Sequence, residues 1–223
     1  MTIEKNLALV VFSGGQDSTT CLYWAFDKFS KENVRAVSFD YGQRHKVELI
    51  AAKKICQLTS IEHTILPINT FNALGGNSLT GQQSVDNALN SETSLPNTFV
   101  PGRNLIFLSF AASLAYQLGI KHLVTGVAQT DYSGYPDCRE STIQSLQNTI
   151  NLGMESDLII HTPLMFLSKK QTVLLAEKLG AMPALAHSHT CYNGVQPGCG
   201  KCAACILRAK GFAQAGINDP LFI

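Results

Sequence analysis

The chain has 223 residues, of which 45% are hydrophobic and 15% are charged, and its formal net charge is +1. That length allows one α/β domain with a sizeable core, or one domain with an appendage. A net charge near zero predicts no general attraction to nucleic acid and leaves only a local basic patch as a basis for binding it. No apolar run is long enough to span a membrane, and the first residues lack a signal-peptide pattern. We therefore expect a cytoplasmic protein whose seven cysteines are reduced or metal-bound.

Apolar runs and amphipathic segments alternate along the chain. The predicted strands are Leu7–Phe12, Val34–Phe39, Glu62–Leu66, His122–Val127 and Leu158–Thr162. The predicted helices are Asp17–Phe29, Arg44–Leu58, Leu105–Leu118, Glu140–Asn151, Lys169–Leu179 and Ala203–Ala215. This alternation predicts an α/β fold, a Rossmann-like parallel five-stranded sheet with helices on both faces and ligands at the carboxyl ends of the strands. The helix at 105–118 is apolar nearly all round, which predicts a central position for it.

The turn after the first predicted strand is Ser13-Gly14-Gly15-Gln16-Asp17-Ser18. Two glycines let the backbone turn sharply, and the Asp-Ser pair suits the first turn of a helix. A strand, a glycine turn and a helix N-terminus together predict an anion site, because free N–H groups and the helix dipole face one point. The loop lacks the Lys and Ser or Thr of a Walker A motif, and it lacks the spacing of the dinucleotide fingerprint. The alternative is an ordinary strand-to-helix turn.

Three further polar loops are expected at the same edge of the sheet, at residues 40–45, 99–104 and 128–139. The 128–139 loop offers two carboxylates, two aromatic rings, an Arg and hydroxyls, which suffice to recognise a flat polar heterocycle. The alternative for this loop is an Asx- and Pro-driven turn with a solvated face. Residues 69–97 are polar and poorly periodic, which is typical of either an active-site lid or an insertion without chemistry.

Four cysteines near the end of the sequence form the second strong signal. They are Cys191, Cys199, Cys202 and Cys205. Their intervals allow tetrahedral convergence, so we predict a structural zinc knuckle followed by a helix. An iron–sulfur cluster is the alternative, although the Cys-Pro continuation of ferredoxins is absent. His187 and His189 lie just upstream and could replace a ligand. We predict a nucleotide-binding and catalytic domain over residues 1–185 and a zinc-binding segment over residues 186–223.

Several motifs together resemble one known family over nearly the whole chain. They are VVFSGGQDSTTCL, FDYGQRH, PNTFVPGRN, SGYPDCR, TPLM, TCYNG and CGKCAACILR. The glycine loop is similar to the SGGxDS signature of PP-loop ATP pyrophosphatases, and the whole set resembles the 7-cyano-7-deazaguanine synthase family of queuosine biosynthesis. The resemblance implies an ATP-dependent carbon–nitrogen ligase that converts 7-carboxy-7-deazaguanine and ammonia to 7-cyano-7-deazaguanine. It also implies an amide intermediate and release of AMP and pyrophosphate at each of two adenylations.

The resemblance, together with the chemistry of the side chains, implies roles for individual residues. The implied catalytic residues are Ser13, Asp17, Arg103 and Lys169. The implied ATP contacts are Phe12, Ser13, Gly14, Gly15, Gln16, Asp17, Ser18, Thr19, Tyr41, Gly42 and Gln43. The implied contacts to the deazaguanine are Asp131, Tyr135, Asp137 and Arg139. The implied cofactors are Zn²⁺, ATP and Mg²⁺, with the carboxylate of the phosphate loop orienting that loop or helping to hold Mg²⁺.

Two other functions fit the same residues. A PP-loop tRNA-thiolating enzyme would use Cys138 as a sulfur carrier and would need a basic tRNA footprint. A non-catalytic nucleotide-binding module with a zinc knuckle would bind ATP without releasing AMP. The expected partners are ATP and a small-molecule substrate, with no membrane and no stable nucleic-acid binding. A homodimer is compatible with the sequence, which does not determine the oligomeric state.

Overall fold

A computed structural model describes residues 6–43, 45–71, 79, 95–129 and 135–223. Strands β1 to β5 are Ala8–Val11, Val34–Asp40, Glu62–Pro67, His122–Val124 and Ile159–His161. Helices α1 to α7 are Gln16–Phe29, Val47–Thr59, Arg103–Gln117, Glu140–Met154, Lys169–Lys178, Met182–Leu185 and Ala203–Ala215. Short 3₁₀ turns lie at Lys31–Asn33, Pro136–Cys138 and Pro220–Phe222.

The five strands form one parallel sheet in the order β3-β2-β1-β4-β5. In the centre, Ala8 of β1 pairs with Val34 of β2 on one side and with His122 of β4 on the other. The chain therefore builds outward from β1 to β3 and then returns to the opposite side of β1 for β4 and β5. Such a reversal opens a crevice at the carboxyl ends of the two strands that flank it. The predicted parallel five-stranded α/β fold is confirmed.

The sheet is buried on both faces, as a parallel sheet requires. Successive residues of β1 point to opposite sides, so Leu9 packs with α3 and α4 while Val10 packs with α1 and α2. Both side chains are almost fully buried, at 1% and 0% exposure. This burial on two sides explains why β1 is an unbroken apolar run in the sequence.

Helix α3 lies in an outer layer and is not central. Its buried residues, Leu108, Ala111, Ala112 and Ala115, form one face that packs on the sheet. On other faces, Phe110 is 48% exposed and Tyr116 is 55% exposed. The predicted central position was wrong, because an all-apolar helix pattern does not reveal which of its faces another element covers.

Helices α5, α6 and α7 enclose a third, smaller core. It contains Val173 and Ala176 from α5, Leu185 from α6 and Phe212 from α7. The segment after residue 185 thus packs against the elements just before it, and the predicted boundary between residues 185 and 186 stays a prediction. Within the described ranges, no helix has both the length and the apolar character needed to cross a bilayer.

Candidate active site

A cavity of about 290 Å³ opens at the carboxyl ends of three strands. Ser13 follows β1, Tyr41 follows β2 and Thr125 follows β4, and all three line it. The first residues of α1, α3 and α5 also line it, as do residues of α2 and α7. Strand order thus places the glycine loop at the reversal point of the sheet, where ligands of open α/β folds bind.

The glycine loop is held by its own two serines. The hydroxyl oxygens of Ser13 and Ser18 lie 3.0 Å apart, and the backbone N–H of Gly15 donates to Ser13 Oγ over 3.3 Å. Helix α1 begins at Gln16 with Gly15 as its N-cap, and no side chain caps it. An uncapped helix start leaves N–H groups for an anion, and this one borders the cavity.

Only glycine fits at position 14. Its φ angle is +78°, a backbone conformation that L side chains rarely adopt. A Cβ atom there would lie 2.5 Å from the backbone nitrogen of Ala52 and 2.7 Å from the carbonyl oxygen of Glu48. The phosphate loop therefore rests directly on the backbone of α2, which fixes the position of both.

An ion pair joins the loop to α5. Lys169 Nζ donates to Asp17 Oδ2 over 2.6 Å, and the two side chains are 15% and 27% exposed. Ser168 and Gln171 form a capping box that begins α5 and sets Lys169 as its first residue. The other oxygen, Asp17 Oδ1, is buried without a hydrogen-bond partner among the described residues. A partnerless carboxylate oxygen beside a phosphate loop is a donor that suits Mg²⁺.

A second part of the lining, called the aromatic wall below, combines a cation, a carboxyl group and three aromatic rings. The guanidinium of Arg103 lies 5.9 Å from the ring centroid of Tyr41. Tyr135, Tyr192 and Glu48 line the same cavity and interact electrostatically with Arg103. Burial raises the pKa of Tyr41 to about 12, although Arg103 opposes the shift. Burial likewise raises the pKa of Glu48, and Arg103 again opposes it.

Arg208 of α7 supports the phosphate loop indirectly, through the segment at residues 188–190. Its guanidinium is 3% exposed and forms two hydrogen bonds with Asp219, of 2.6 and 2.8 Å. It also donates to Ser188 Oγ over 2.7 Å and to Thr190 Oγ1 over 3.0 Å. Between those two residues, the backbone N–H of His189 donates to the carbonyl oxygen of Gly14 over 2.9 Å. Arg208 thereby holds the segment at residues 188–190, which contacts the phosphate loop.

The four predicted metal-ligating cysteines come together beyond this segment. The sulfur atoms of Cys191, Cys199, Cys202 and Cys205 all lie within 4.8 Å of one another. Burial raises the pKa of the Cys199 thiol, yet N–H donors from Lys201 and Cys202 outweigh it and lower the pKa to about 6. His187 and His189 are not part of this group, and His189 Nε2 instead contacts the carbonyl oxygen of Cys191 at 2.9 Å. Four converging sulfurs with a readily ionised member fit a tetrahedral thiolate site.

The family model described as queuosine biosynthesis protein QueC matches residues 7–216. The chain belongs to the QueC family. The 7-cyano-7-deazaguanine synthase of Laribacter hongkongensis is 68% identical over 98% of this chain and 95% of its own length. That of Chromobacterium violaceum is 62% identical over 96% and 92%, and that of Bacillus subtilis is 49% identical over 95% and 96%. The similarity to these synthases therefore extends over nearly the whole chain.

In this QueC-family chain the cavity is lined by most of the predicted ATP contacts and by all four predicted catalytic residues. The lining ones are Phe12, Ser13, Gly15, Gln16, Asp17, Ser18, Tyr41, Gln43, Arg103 and Lys169. Gly14, Thr19 and Gly42 do not line it. Gln43 stabilises its own turn, since its side-chain oxygen accepts from the Tyr41 N–H over 2.9 Å. The roles themselves stay predictions.

The predicted deazaguanine contacts divide into three groups in this QueC-family chain. Tyr135 lines the cavity and shares a 2.6 Å hydrogen bond with the hydroxyl of Thr98. Asp137 and Arg139 do not line it; Arg139 is exposed, and Asp137 accepts the Asn104 backbone N–H at the start of α3 over 3.0 Å. Asp131 lies outside the described residues, as do Arg44 and most of the 69–97 segment.

The lining residues that sequence reasoning did not assign to the site include Glu48, Tyr192 and Arg208. Glu48 carries a usable signal, because it is a carboxylate between two apolar residues in the first turn of α2. Tyr192 and Arg208 lie in the motifs TCYNG and CGKCAACILR, but neither motif indicates that these side chains reach the cavity. Arg208 reaches it through the packing of α7 against α5, which no periodicity reports.

Proposed function

We propose that this chain is a 7-cyano-7-deazaguanine synthase, which converts 7-carboxy-7-deazaguanine and ammonia to the nitrile with two molecules of ATP. The observation that carries the substrate is the 68% identity to the Laribacter hongkongensis synthase over 98% of the chain. The uncapped glycine loop beside the Asp17–Lys169 pair supports cleavage of ATP between its α and β phosphates. The aromatic wall with its carboxyl group and its cation suits a flat polar heterocycle carrying a carboxylate.

The first half-reaction activates an unreactive carboxylate. A substrate carboxylate oxygen attacks the α phosphorus of ATP, the bond to the bridging oxygen breaks, and pyrophosphate leaves. The N–H groups at the start of α1 and the hydroxyls of Ser13 and Ser18 would hold the departing pyrophosphate. Lys169 and Arg103 would place positive charge where negative charge grows. Ammonia then adds to the acyl adenylate, and AMP leaves to give the amide.

The second half-reaction uses the same groups on the amide. Its oxygen attacks the α phosphorus of a second ATP, and pyrophosphate leaves again. Loss of two protons and of AMP from the activated amide then forms the carbon–nitrogen triple bond. A cavity that excludes bulk water favours this elimination over hydrolysis, and Tyr41 and Tyr135, at 6% and 7% exposure, form part of such a wall.

Two metal ions fit the donor sets of the chain. We propose that Cys191, Cys199, Cys202 and Cys205 hold Zn²⁺, because their sulfurs converge within 4.8 Å. Asp17 Oδ1 would hold Mg²⁺, which would neutralise charge on the phosphates of ATP when bound. The expected setting is the cytoplasm, with ATP and the small-molecule substrate as partners and with no membrane or stable nucleic-acid partner. A homodimer stays a prediction.

The test is mass spectrometry of the products formed from ATP, ammonium and 7-carboxy-7-deazaguanine. We expect the amide first and the nitrile later, with AMP and pyrophosphate in step with each activation. The amide supplied alone with ATP is expected to give nitrile too, because it omits only the first activation. A reaction without ammonium is the control and is expected to give neither the amide nor the nitrile.

Other outcomes would identify a different function. ADP as the nucleotide product would refute cleavage between the α and β phosphates. AMP formed only when tRNA and a sulfur donor are present would favour a thiolating enzyme that uses Cys138, which also lines the cavity. ATP binding without AMP under any of these substrates would indicate a binding module.

A further inference from the structure

The aromatic wall contains a carboxyl group to which the chemistry so far gives no role. Among the described residues, the carboxylates that line the cavity are Asp17 and Glu48. Asp17 is engaged by Lys169 over 2.6 Å at the phosphate end. The predicted substrate contact Asp137 instead caps α3 through the Asn104 N–H. Glu48 is thus the lining carboxylate that the described residues leave available for the heterocycle.

The backbone of Glu48 is fixed in place by the phosphate loop. The residue belongs to the first turn of α2, and its carbonyl oxygen would lie 2.7 Å from a Cβ atom at position 14. No ion pair or side-chain hydrogen bond joins Glu48 to another described residue. Burial raises the pKa of Glu48, Arg103 opposes that shift, and Tyr41 and Tyr192 interact with Glu48 electrostatically. A preplaced acceptor among flat rings suits an aromatic ligand with N–H donors.

The adenine of ATP and the 7-carboxy-7-deazaguanine differ in the hydrogen-bond donors that they present. An ionised carboxylate only accepts hydrogen bonds, and its two oxygens accept best from two adjacent N–H groups. The edge of adenine combines one amino group with acceptor nitrogens, so a carboxylate there would face lone pairs. The guanine-type edge of 7-carboxy-7-deazaguanine places a ring N–H beside an exocyclic amino group, which matches both carboxylate oxygens.

We propose that Glu48 determines specificity by accepting the ring N–H and the 2-amino group of the deazaguanine. This inference rests on the proposed function. In this arrangement the rings of Tyr135 and Tyr192 border the heterocycle, and Arg103 lies beside its polar substituents. The carboxylate therefore selects a guanine-type edge over an adenine- or hypoxanthine-type edge.

The experiment compares Glu48→Gln with wild type on two substrates. These are 7-carboxy-7-deazaguanine and its analogue without the 2-amino group, with AMP release as the readout. Because a buried group without its partner is costly, we expect Glu48→Gln to raise the KM for the deazaguanine by about 10- to 100-fold. The KM for ATP is expected to change by less than about 3-fold. The wild type is expected to discriminate against the analogue, and Glu48→Gln is expected to discriminate little, because the variant has already lost that hydrogen bond.

Controls separate this inference from folding and from the proposed function. Glu177→Gln, the same change at an exposed position on α5, is expected to match the wild type on both substrates. If Glu48→Gln does not fold, Glu48→Asp retains the acceptor and is expected to keep the discrimination at a raised KM. The inference would be overturned if Glu48→Gln and removal of the 2-amino group raised the KM by independent factors that multiply. A larger increase in the KM for ATP than in the KM for the deazaguanine would also overturn it. A wild type that makes no nitrile would instead sink the proposed function.

Discussion

Asp17 and Lys169 are separated by 152 positions in the sequence, yet their side chains meet at the start of α1. The contact depends on two local features, the glycine turn that begins α1 and the capping box that begins α5. Because the two side chains are mostly buried, the cost of removing them from water offsets much of their attraction, and the pair is weak evidence for stability. The ion pair matters for ligand binding, because it places the Lys169 ammonium group beside a carboxylate oxygen of Asp17 that has no hydrogen-bond partner among the described residues.

At the residue scale, Asp17→Asn is expected to reduce AMP formation by at least about 100-fold, because it removes both the ion pair and the oxygen suited to Mg²⁺. The far-ultraviolet circular dichroism spectrum is expected to stay that of the wild type. Asp27→Asn, on the exposed side of the same helix, is the matched control and is expected to retain full activity. Ser13→Ala, which removes a hydroxyl of the loop, is expected to lower turnover in the same way. A near-normal rate in Asp17→Asn would show that the loop has only a structural role.

The helices that carry the site depend on partners far away in the sequence. Helix α3 begins after Gly102 without a side-chain cap of its own, and the carboxylate of Asp137 supplies one across 33 positions by accepting from Asn104. Arg103 is the first residue of that helix, so its place at the cavity wall follows from the cap. Asp137 thus connects the 3₁₀ turn after Tyr135 to the aromatic wall.

At the element scale, Asp137→Ala is expected to lower the free energy of unfolding by about 0.5 to 2 kcal/mol, as the loss of a helix cap does. Binding of ATP and of the deazaguanine is expected to weaken together, because Arg103 loses its fixed position. Urea denaturation and calorimetric titration measure the two effects. The exposed Asp157, changed to Ala, is the control and is expected to leave both ligands unaffected. Unchanged stability with a loss confined to the deazaguanine would show direct substrate contact instead.

The cysteine cluster makes a second prediction at this scale. Purified protein is expected to contain one zinc per chain, and Cys199→Ser is expected to lower both the metal content and the melting temperature, because binding energy at such a site is folding energy. Cys56→Ala removes a buried cysteine outside the cluster and is expected to keep the zinc. Elemental analysis that finds iron and sulfide, or active protein without metal, would refute the zinc assignment.

At the scale of the whole molecule, two histidines connect the sheet to α1. His122 Nδ1 and His161 Nε2 lie 3.1 Å apart, and the ring of Phe29 stacks on His122 with centroids 4.8 Å apart. Burial, together with the nearby His122 and Lys28, lowers the pKa of His161 to about 4. Burial also lowers the pKa of His122. In the folded chain, His122 and His161 are therefore harder to protonate than free histidines.

Acidification is expected to destabilise the protein through this pair. Between about pH 6.5, the usual histidine value, and pH 4, the unfolded chain binds more protons than the folded one. Stability is therefore present above this range and is lost as the pH falls through it. Melting temperatures measured from pH 7 to pH 4.5 check the slope. His161→Phe is expected to flatten it, whereas His187→Phe at an exposed site is expected to leave it unchanged; equal slopes in both variants would contradict the assignment.

The fold was predictable from the sequence because its signals are local. An apolar run buried on two faces, such as that of Leu9 and Val10, identifies a central parallel strand wherever it occurs. The ends of strands were less predictable. Strand β4 stops at Val124, short of the predicted Val127. Beyond it, Gly126 passes close to α1, and a Cβ there would lie 3.2 Å from the backbone of Ser18.

The site was predictable at the phosphate loop and less so at its walls. Ser13 and Asp17 belong to a contiguous motif, so spacing alone locates them. Arg208 reaches the cavity through the packing of α7. Asp137 accepts from the start of a helix that lies 33 positions before it in the sequence. Contacts of that kind depend on tertiary structure, which neither composition nor periodicity encodes.

The bracing of the phosphate loop by Arg208 has a consequence for how the protein is made. The loop is translated roughly 200 residues before Asp219, which holds Arg208. At the usual elongation rate of about 5 to 20 residues per second, the nascent loop waits about 10 to 40 s for its support. A nascent chain stalled before Asp219 would contain the whole phosphate loop and would still lack the residue that anchors Arg208.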